Sequence, residues 1–185
     1  MIIGLTGSNC AGKDTVAEYL AGKKGFVHLS LSDALRDEMR KRKIEITRDS
    51  LIRVGTALRR KEGNSVLAKR VVKKMDKSGD YVVTSIRHPA EIRQLRKLKK
   101  FILVNVDAPV AVRFMRMRKR KRHGDPQTLS EFIAAEKKES ATSGPGQQLQ
   151  RCREMADVAF INNRNGLRAT YKKVELLLEK SGKIR

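Results

Sequence analysis

The sequence has few residues of the kinds that form disulfides or hold metal ions. Its 185 residues include two cysteines and three histidines. Cys10 and Cys152 lie far apart without a metal-ligand spacing, and the histidines show no pairing pattern. We therefore expect neither a disulfide framework nor an intrinsic zinc site, and any metal ion should arrive with a ligand.

Long apolar runs are also missing. No segment approaches the ~20 consecutive apolar residues of a transmembrane helix. The first residues, MIIGLTGSNC, lack the basic leader and long apolar core of a secretion signal. We therefore expect a cytoplasmic protein with no membrane partner. The length suits one domain, 1–185, with a sizeable buried core, and the sequence does not indicate an oligomeric state.

Acidic and aromatic residues are scarce. The chain has 20 Asp and Glu against 42 Lys and Arg, a formal net charge of +22 and a pI of about 10.5. Hydrophobic residues make up 39% and are spread throughout, so we expect a folded domain rather than a basic tail. The charge favours anionic partners. With no tryptophan, three tyrosines and five phenylalanines, stacking platforms for bases are few, and a nucleic-acid partner is open but not favoured.

Short apolar segments alternate with helical patterns along the chain. Such alternation predicts a three-layer α/β domain in which a five-stranded parallel sheet is buried on both faces. Ligands of such sheets bind at the carboxyl ends of the strands. The predicted strands are Ile2–Thr6, Phe26–Ser30, Asp80–Ile86, Phe101–Val106 and Val158–Asn162.

A phosphate-binding loop is predicted between the first strand and the first helix. The run GSNCAGKDT has the G-x-x-x-x-G-K spacing of the Walker A sequence. Its glycines let backbone N–H groups face one point, and its lysine reaches the β- and γ-phosphates of a nucleotide. The alternative is a glycine-rich turn with a chance lysine. We predict that ATP contacts Gly7, Asn9, Ala11, Gly12, Lys13, Asp14 and Thr15, with Lys13 also catalytic.

The loop departs from its usual form at the metal-binding position. Asp14 stands where a Ser or Thr normally binds Mg²⁺, and the hydroxyl follows at Thr15. Both residues offer hard oxygen ligands, so we predict that they hold Mg²⁺. The alternative for Asp14 is an acid that stabilises the helix N-terminus through the helix dipole.

Several segments carry a family resemblance. The loop, together with TSIRHPAEI, VDAPVAVRFMRMRKR and ADVAFINN, resembles the small P-loop kinases of the nucleoside monophosphate kinase group. Within that group the chain is similar to dephospho-CoA kinase, archaeal adenylate-kinase-related proteins and phage deoxynucleotide kinase. The resemblance implies a P-loop NTPase fold with acceptor-binding helices at about 32–76 and a helical lid at about 113–146. It also implies ATP as the phosphate donor, Mg²⁺ and a small nucleotide acceptor.

The resemblance places acceptor-binding residues after the second strand. Asp33 would take the proton of a hydroxyl acceptor, and Arg36 would grip an acceptor phosphate through its two-pronged guanidinium. The alternative for Asp33 is an acid beside a helix cap at Ser32.

A second acceptor element is implied at the end of the third strand. Arg87 would contact the acceptor or the γ-phosphate, as a substrate-binding and catalytic residue. The Asp that related kinases have before the Ile-Arg pair is absent here, and Thr84 or Ser85 stands nearby, which leaves the Mg²⁺ ligands open. Alternatively, Arg87 is structural and pairs with Glu91 on the next helix.

The predicted lid and the last strand complete the implied site. Arg116 and Arg120 lie one helical turn apart, and the resemblance implies that they close over the triphosphate, followed by Arg113. Arg164 follows the last strand, where it would stack on adenine. The alternative for that segment is an Asn/Gly turn before the final helix.

Three functions fit these features. The first is a kinase acting on a nucleoside or deoxynucleoside monophosphate, or on dephospho-CoA. The second is an RNA- or ribosome-associated P-loop NTPase that uses its basic surface. The third is a nucleotide-binding regulator that hydrolyses slowly and does not need Asp33 or Arg36.

Overall fold

The computed structural model describes residues 1–76, 78–98, 100–121, 124–139, 143–163 and 166–180. Its centre is one sheet of five strands in the order β2-β3-β1-β4-β5. Every neighbouring pair is parallel, which confirms the predicted sheet. The strands are β1 (Ile2–Thr6), β2 (Val27–Ser30), β3 (Tyr81–Thr84), β4 (Phe101–Asp107) and β5 (Val158–Ile161).

Helices connect the strands and pack on both faces of the central strands, which makes the predicted three layers. The prediction of burial on both faces is wrong for the edge strands β2 and β5, whose side chains are exposed or half-buried because each has a neighbouring strand on one side only. None of the helices in the described part of the chain is long and apolar enough to cross a membrane. The helices are α1 (Lys13–Lys24), α2 (Leu31–Lys41), α3 (Arg48–Glu62), α4 (Val66–Val72), α5 (Pro89–Leu95), α6 (Val110–Arg120), α7 (Leu129–Glu139), α8 (Leu149–Glu154) and α9 (Gly166–Lys180).

The two faces of β1 show why its residues are apolar throughout. Successive strand side chains point to opposite faces. Ile2 packs in the cluster under α2, α3, α4, α5 and α8, which includes Leu58. Ile3 and Leu5 pack in the cluster under α1, α6 and α9, which includes Leu20. Because both faces are buried, β1 carries a continuous apolar run rather than an alternating one.

Several element boundaries differ from the prediction by one or two residues, and two of these differences have a local cause. The predicted cap at Ser32 is wrong, because α2 begins at Leu31 and Ser30 is the capping position. Ser30 is still extended, with φ −119° and ψ 130°, so strand passes into helix without a loop. Strand β3 ends at Thr84, before the predicted end, because Ser85 adopts a left-handed φ of 61° that turns the chain.

Two other helices begin with side-chain caps. Thr47 caps α3: its Oγ1 accepts the N–H of Ser50 at 3.1 Å, and Ser50 Oγ accepts the N–H of Thr47 at 2.8 Å. Pro89 opens α5, and His88 Nδ1 accepts the N–H of Ala90 at 3.1 Å. These bonds satisfy N–H groups that have no partner within the first turn of a helix.

A buried ion pair joins α3 to α5. Arg59 Nη2 donates to Glu91 Oε1 at 2.8 Å, and the two side chains are 5% and 0% exposed. The other carboxylate oxygen, Oε2, accepts the N–H groups of Arg87 at 2.9 Å and His88 at 3.0 Å. The pair thereby holds the backbone that enters α5.

We predict that Arg59→Met lowers the free energy of unfolding by about 3 kcal/mol, because it leaves the buried Glu91 carboxylate without its cation. Chemical denaturation measures the loss. Arg60→Met is the matched control, since Arg60 is exposed on the same helix and should change stability by less than about 0.5 kcal/mol. Equal stability of the two variants would contradict the structural role of the pair.

Candidate active site

The predicted phosphate-binding loop, residues 7–15, leaves β1 at the carboxyl edge of the sheet. Its two glycines have φ angles of 126° at Gly7 and 97° at Gly12. A Cβ at Gly7 would lie 2.0 Å from the carbonyl oxygen of Val106, and one at Gly12 would lie 2.1 Å from Asn162 Nδ2. Both positions therefore require glycine, for backbone conformation and for space.

Lys13 lies at the mouth of this loop. Its Nζ donates to the carbonyl oxygens of Gly7 at 3.0 Å and Ser8 at 2.5 Å. Burial and the nearby charge of Arg87 lower the pKa of Lys13 from 10.5 to about 8. Two neighbouring positive charges, on Lys13 and Arg87, favour the binding of an anion between them or beside them.

The Ser8 hydroxyl lies in the same loop and lacks a hydrogen-bond partner within the part of the chain that the structure describes. Its side chain is 1% exposed, and its Oγ has no hydrogen-bond partner among the described residues. A buried hydroxyl without a partner is costly. Together with the lysine and the glycine backbone, it makes a cradle that fits the phosphate groups of a nucleotide.

The back of the loop is held by two side chains. Arg116 Nη1 donates to the carbonyl oxygen of Ala11 at 3.2 Å, and Nη2 donates to that of Asn162 at 3.1 Å. Asn162 Nδ2 also donates to the Ala11 oxygen, at 2.8 Å. The guanidinium of Arg116, predicted to act on the triphosphate, thus contacts backbone carbonyls in this structure.

A cleft of about 880 Å³ opens beside the loop. It lies between α2, α3, the strand ends and the segment after α6. Basic side chains share it with a few acids and an aliphatic wall. The basic residues are Arg36, Arg48, Arg59, Arg87 and Arg120; the acids are Glu45, Asp49 and Asp125; the aliphatic residues are Leu35, Ile46, Leu51, Ile52 and Leu67.

The predicted acceptor pair on α2 is only partly in this cleft. Arg36 lines it, and Asp33 does not. Arg36 Nη1 donates to Asp33 Oδ1 at 2.7 Å, and the Asp33 side chain is 62% exposed. The two residues predicted for different acceptor roles therefore bind each other, and the role of Asp33 as a base stays a prediction.

Arg87 lines the cleft, and its contact with the acceptor or the γ-phosphate stays a prediction. Its Nη1 donates to Gln147 Oε1 at 2.8 Å, while Glu91 contacts only its backbone N–H. The alternative of an Arg87–Glu91 ion pair is therefore wrong, because Glu91 pairs with Arg59. Sequence reasoning missed Gln147. The one available signal was the Gln-Gln pair directly after the segment SGPG, whose glycines and proline interrupt regular structure.

The end of the predicted lid is tied to the start of α5. The N–H of Gln148 donates to the carbonyl oxygen of Arg87 at 2.8 Å. His88 Nε2 lies 3.0 Å from the carbonyl oxygen of Gly144, and burial lowers the pKa of His88. Residues 122–123 and 140–142 of the predicted lid lie outside the described residues, so the lid stays a prediction.

The remaining predicted arginines of α6 have different surroundings. Arg120 lines the cleft and binds Asp125 through two bonds, of 3.0 and 2.9 Å. Arg113 is buried: its Nε donates to the carbonyl oxygen of Ala108 at 2.8 Å and its Nη1 contacts Glu136. Arg113 therefore anchors α6 to α7. Arg164 lies outside the described residues.

The predicted Mg²⁺ ligands lie in the first turn of α1. Asp14 is exposed and Thr15 is half-buried. At the third strand end, Ser85 Oγ lies 3.1 Å from Ser30 Oγ, and Thr84 is also hydrogen-bonded within the sheet. In the described residues no group of three or more His, Cys, Asp or Glu could hold a metal. The hard oxygens of Asp14 and Thr15 suit Mg²⁺ carried in by phosphates.

These features define a P-loop kinase fold, which solved structures share. The shikimate kinase of Acinetobacter baumannii in complex with shikimate superposes with a TM-score of 0.60 at 19% identity, covering 100% of this chain and 95% of that one. The shikimate kinase of Bacteroides thetaiotaomicron gives 0.59 at 16% identity, covering 97% and 98%. At these identities the likeness concerns the fold.

Sequence relatives identify the family. The family described as AAA domain matches residues 6–133. A UPF0200 protein of Thermococcus gammatolerans is 35% identical over 188 residues, which cover 97% of this chain and 95% of the relative. A UPF0200 protein of Methanosarcina mazei is 33% identical over 132 residues, covering 69% and 70%. The chain belongs to the UPF0200 family and carries its P-loop within the matched AAA domain region.

We predict that affinity for ADP falls as the pH rises through about 8, the pKa of Lys13. The charged amine attracts phosphate, and it loses its proton above that pH, so the decline approaches about tenfold per pH unit. Calorimetric titration between pH 7 and 10 measures it. Lys13→Arg keeps its charge throughout this range, so its affinity should not decline. Parallel profiles for the two proteins would refute the role of Lys13.

Proposed function

We propose that the protein is an ATP-dependent kinase that transfers the γ-phosphoryl group to a small nucleotide-type acceptor. The acceptor is a nucleoside or deoxynucleoside monophosphate, or dephospho-CoA. The observation that carries the proposal is the position of the phosphate-binding loop beside a cleft lined by Arg36, Arg87 and Arg120. An enzyme that joins two phosphate-bearing molecules needs such neighbouring sites.

The loop holds the donor in this proposal. The backbone of residues 7–15 surrounds the β- and γ-phosphates, and Ser8 Oγ gains the acceptor that it lacks in the structure. Lys13 exchanges its bonds to the loop carbonyls for bonds to phosphate oxygens. Asp14 and Thr15 hold Mg²⁺, which neutralises phosphate charge when bound.

The cleft holds the acceptor. Arginines suit the anionic group of a nucleotide because they present a planar fork of donors. The aliphatic wall of Leu35, Ile46, Leu51 and Ile52 suits an uncharged ring, which is the other part of such a molecule. A volume of about 880 Å³ falls within the usual range of ligand sites.

The position of Arg87 indicates where the transfer step would take place. It lines the cleft, and its charge is close enough to Lys13 to lower the pKa of that amine. Lys13 on the donor side and Arg87 on the acceptor side thus lie close to each other. In the transfer, an acceptor oxygen forms a bond to the γ-phosphorus while the bond from that phosphorus to the β–γ bridging oxygen breaks, and ADP leaves.

Other residues complete the proposed mechanism. Arg120 would leave Asp125 to neutralise charge on the transferred group. Closure of the segment 113–146 would exclude water and prevent ATP hydrolysis. A phosphate acceptor loses no hydroxyl proton in the transfer. For a hydroxyl acceptor, Asp33 would take that proton after turning away from Arg36.

The net charge of +22 favours a second candidate, an RNA- or ribosome-associated NTPase. Three of the arginines that line the cleft, Arg36, Arg59 and Arg120, are bound to carboxylates, which reduces the charge available to a polyanion. The kinase proposal accounts for the cleft, and the NTPase proposal does not.

The test is ADP release from Mg²⁺-ATP by the purified protein. We expect stimulation by one small acceptor from a panel of ribo- and deoxyribonucleoside monophosphates and dephospho-CoA. Lys13→Ala should abolish the release, whereas Lys23→Ala, exposed on the same helix, should retain it. Release that needs no small acceptor, or that needs RNA, would favour the NTPase and overturn the kinase.

We predict that Arg87→Met raises the KM for the acceptor by about tenfold or more, because a charge-assisted hydrogen bond to the acceptor is lost. It should also shift the decline in ADP affinity to higher pH, since removal of the neighbouring positive charge raises the pKa of Lys13. Arg93→Met, exposed on α5, is the control. Normal acceptor kinetics in Arg87→Met would exclude this residue from the acceptor site.

A further inference from the structure

Asn162 occupies an unusual position behind the phosphate-binding loop. It follows β5 and is 8% exposed. Its backbone N–H donates to the carbonyl oxygen of Asp107 at 2.6 Å, so the residue is held firmly at the end of β4. Its side-chain Nδ2 donates to the carbonyl oxygen of Ala11 at 2.8 Å. The amide thus connects the last two strands of the sheet to the loop.

Arg116 reinforces the same contact. Its Nη1 donates to the Ala11 oxygen at 3.2 Å, and its Nη2 donates to the Asn162 carbonyl at 3.1 Å. One carbonyl of the loop therefore accepts hydrogen bonds from two side chains that come from different parts of the sequence. We name this arrangement of Asn162 and Arg116 on the Ala11 oxygen the loop clamp.

Peptide geometry shows what the clamp does to the loop. The C=O of Ala11 and the N–H of Gly12 belong to one planar trans peptide, so they point in opposite directions. Holding the oxygen at the back of the loop therefore turns the Gly12 N–H toward the front. No residue with a side chain could replace Gly12 here, because its Cβ would lie 2.1 Å from Asn162 Nδ2.

We infer that Asn162, together with Arg116, is a positioning residue that aims the Gly12 N–H at a phosphate group of the bound nucleotide. The inference rests on the proposed function in one respect, that the loop binds nucleotide phosphates. It differs from a role in base recognition, because the clamp acts on the loop backbone.

The clamp also joins the loop to the predicted lid. Arg116 lies one turn before Arg120 on α6, and Arg120 lines the cleft. A phosphate that accepts a hydrogen bond from the Gly12 N–H polarises this peptide group. The hydrogen bonds that the Ala11 oxygen accepts from Asn162 and Arg116 thereby become stronger. Donor binding is thereby connected to the helix that carries Arg120.

The test is calorimetric titration of the full chain with Mg²⁺-ADP and, separately, with tripolyphosphate, which has no base. Asn162→Ala should weaken both ligands by about tenfold, since one hydrogen bond to the loop is lost. Asn162→Asp should weaken them further, because its carboxylate oxygen would face the Ala11 oxygen. A residue that only filled space would show the reverse order.

Matched controls separate charge and folding from positioning. Asn163 is adjacent and exposed, so Asn163→Ala and Asn163→Asp should bind both ligands within about twofold of the unchanged protein. Should the Asn162 variants fail to fold, Arg116→Lys provides the second measurement. It keeps the charge but replaces the guanidinium, whose two nitrogens reach one carbonyl each, by a single nitrogen, and it should weaken both ligands by about fivefold.

Each remaining outcome is decisive. Unchanged affinity for both ligands in the folded variants would overturn the inference. Weaker ADP binding with unchanged tripolyphosphate binding would assign Asn162 to base recognition instead, and would overturn it as well. If the unchanged protein binds neither ligand, the proposed function itself fails, which is a different result from failure of the clamp.

Discussion

The close approach of the loop backbone to the strands behind it is the constraint on which the site depends. At Gly7 the space for a Cβ is taken by the Val106 carbonyl, 2.0 Å away, and at Gly12 by the Asn162 side chain, 2.1 Å away. The loop backbone therefore packs directly against these two groups, with no room for a side chain at either glycine. A rigid backbone keeps its N–H groups oriented before a ligand arrives, which lowers the cost of binding.

Many positive charges near the site already have partners in the protein. Arg59 pairs with Glu91, Arg120 with Asp125, and Arg116 with backbone carbonyls. These bonds orient the arginines and reduce their attraction for anions in general. The net charge of +22 consequently overstates the positive charge offered inside the cleft.

The strands and the loop were predictable from the sequence, because each depends on residues that are close together along the chain. The inner strands β3, β1 and β4 were recognised because burial on both faces demands a local apolar run. The edge strands β2 and β5 were recognised from short apolar segments, although their side chains are exposed or half-buried. The loop was recognised because its glycines and lysine have a fixed spacing. The end of β3 was predicted too late, because the left-handed φ of Ser85 has no signal in a non-glycine residue. The Ser32 cap was wrong because two serines, Ser30 and Ser32, competed for one position.

Side-chain partners across the fold were beyond the reach of the sequence. Gln147 binds Arg87 across 60 positions, and Asn162 binds the Ala11 carbonyl across 151 positions. A local pattern cannot encode such a distance, since the contact exists only after the sheet has formed. The pair of Asp33 and Arg36 is different, because these residues lie three positions apart on α2 and helix spacing by itself brings them together.

The sequence by itself determined the fold class and the phosphate-binding loop, because periodicity and spacing are properties of residues close together along the chain. The tertiary structure alone decided which charges face the cleft, which are neutralised and which carbonyl of the loop is clamped. Those choices arise from packing between segments that are distant along the chain and meet at one edge of the sheet.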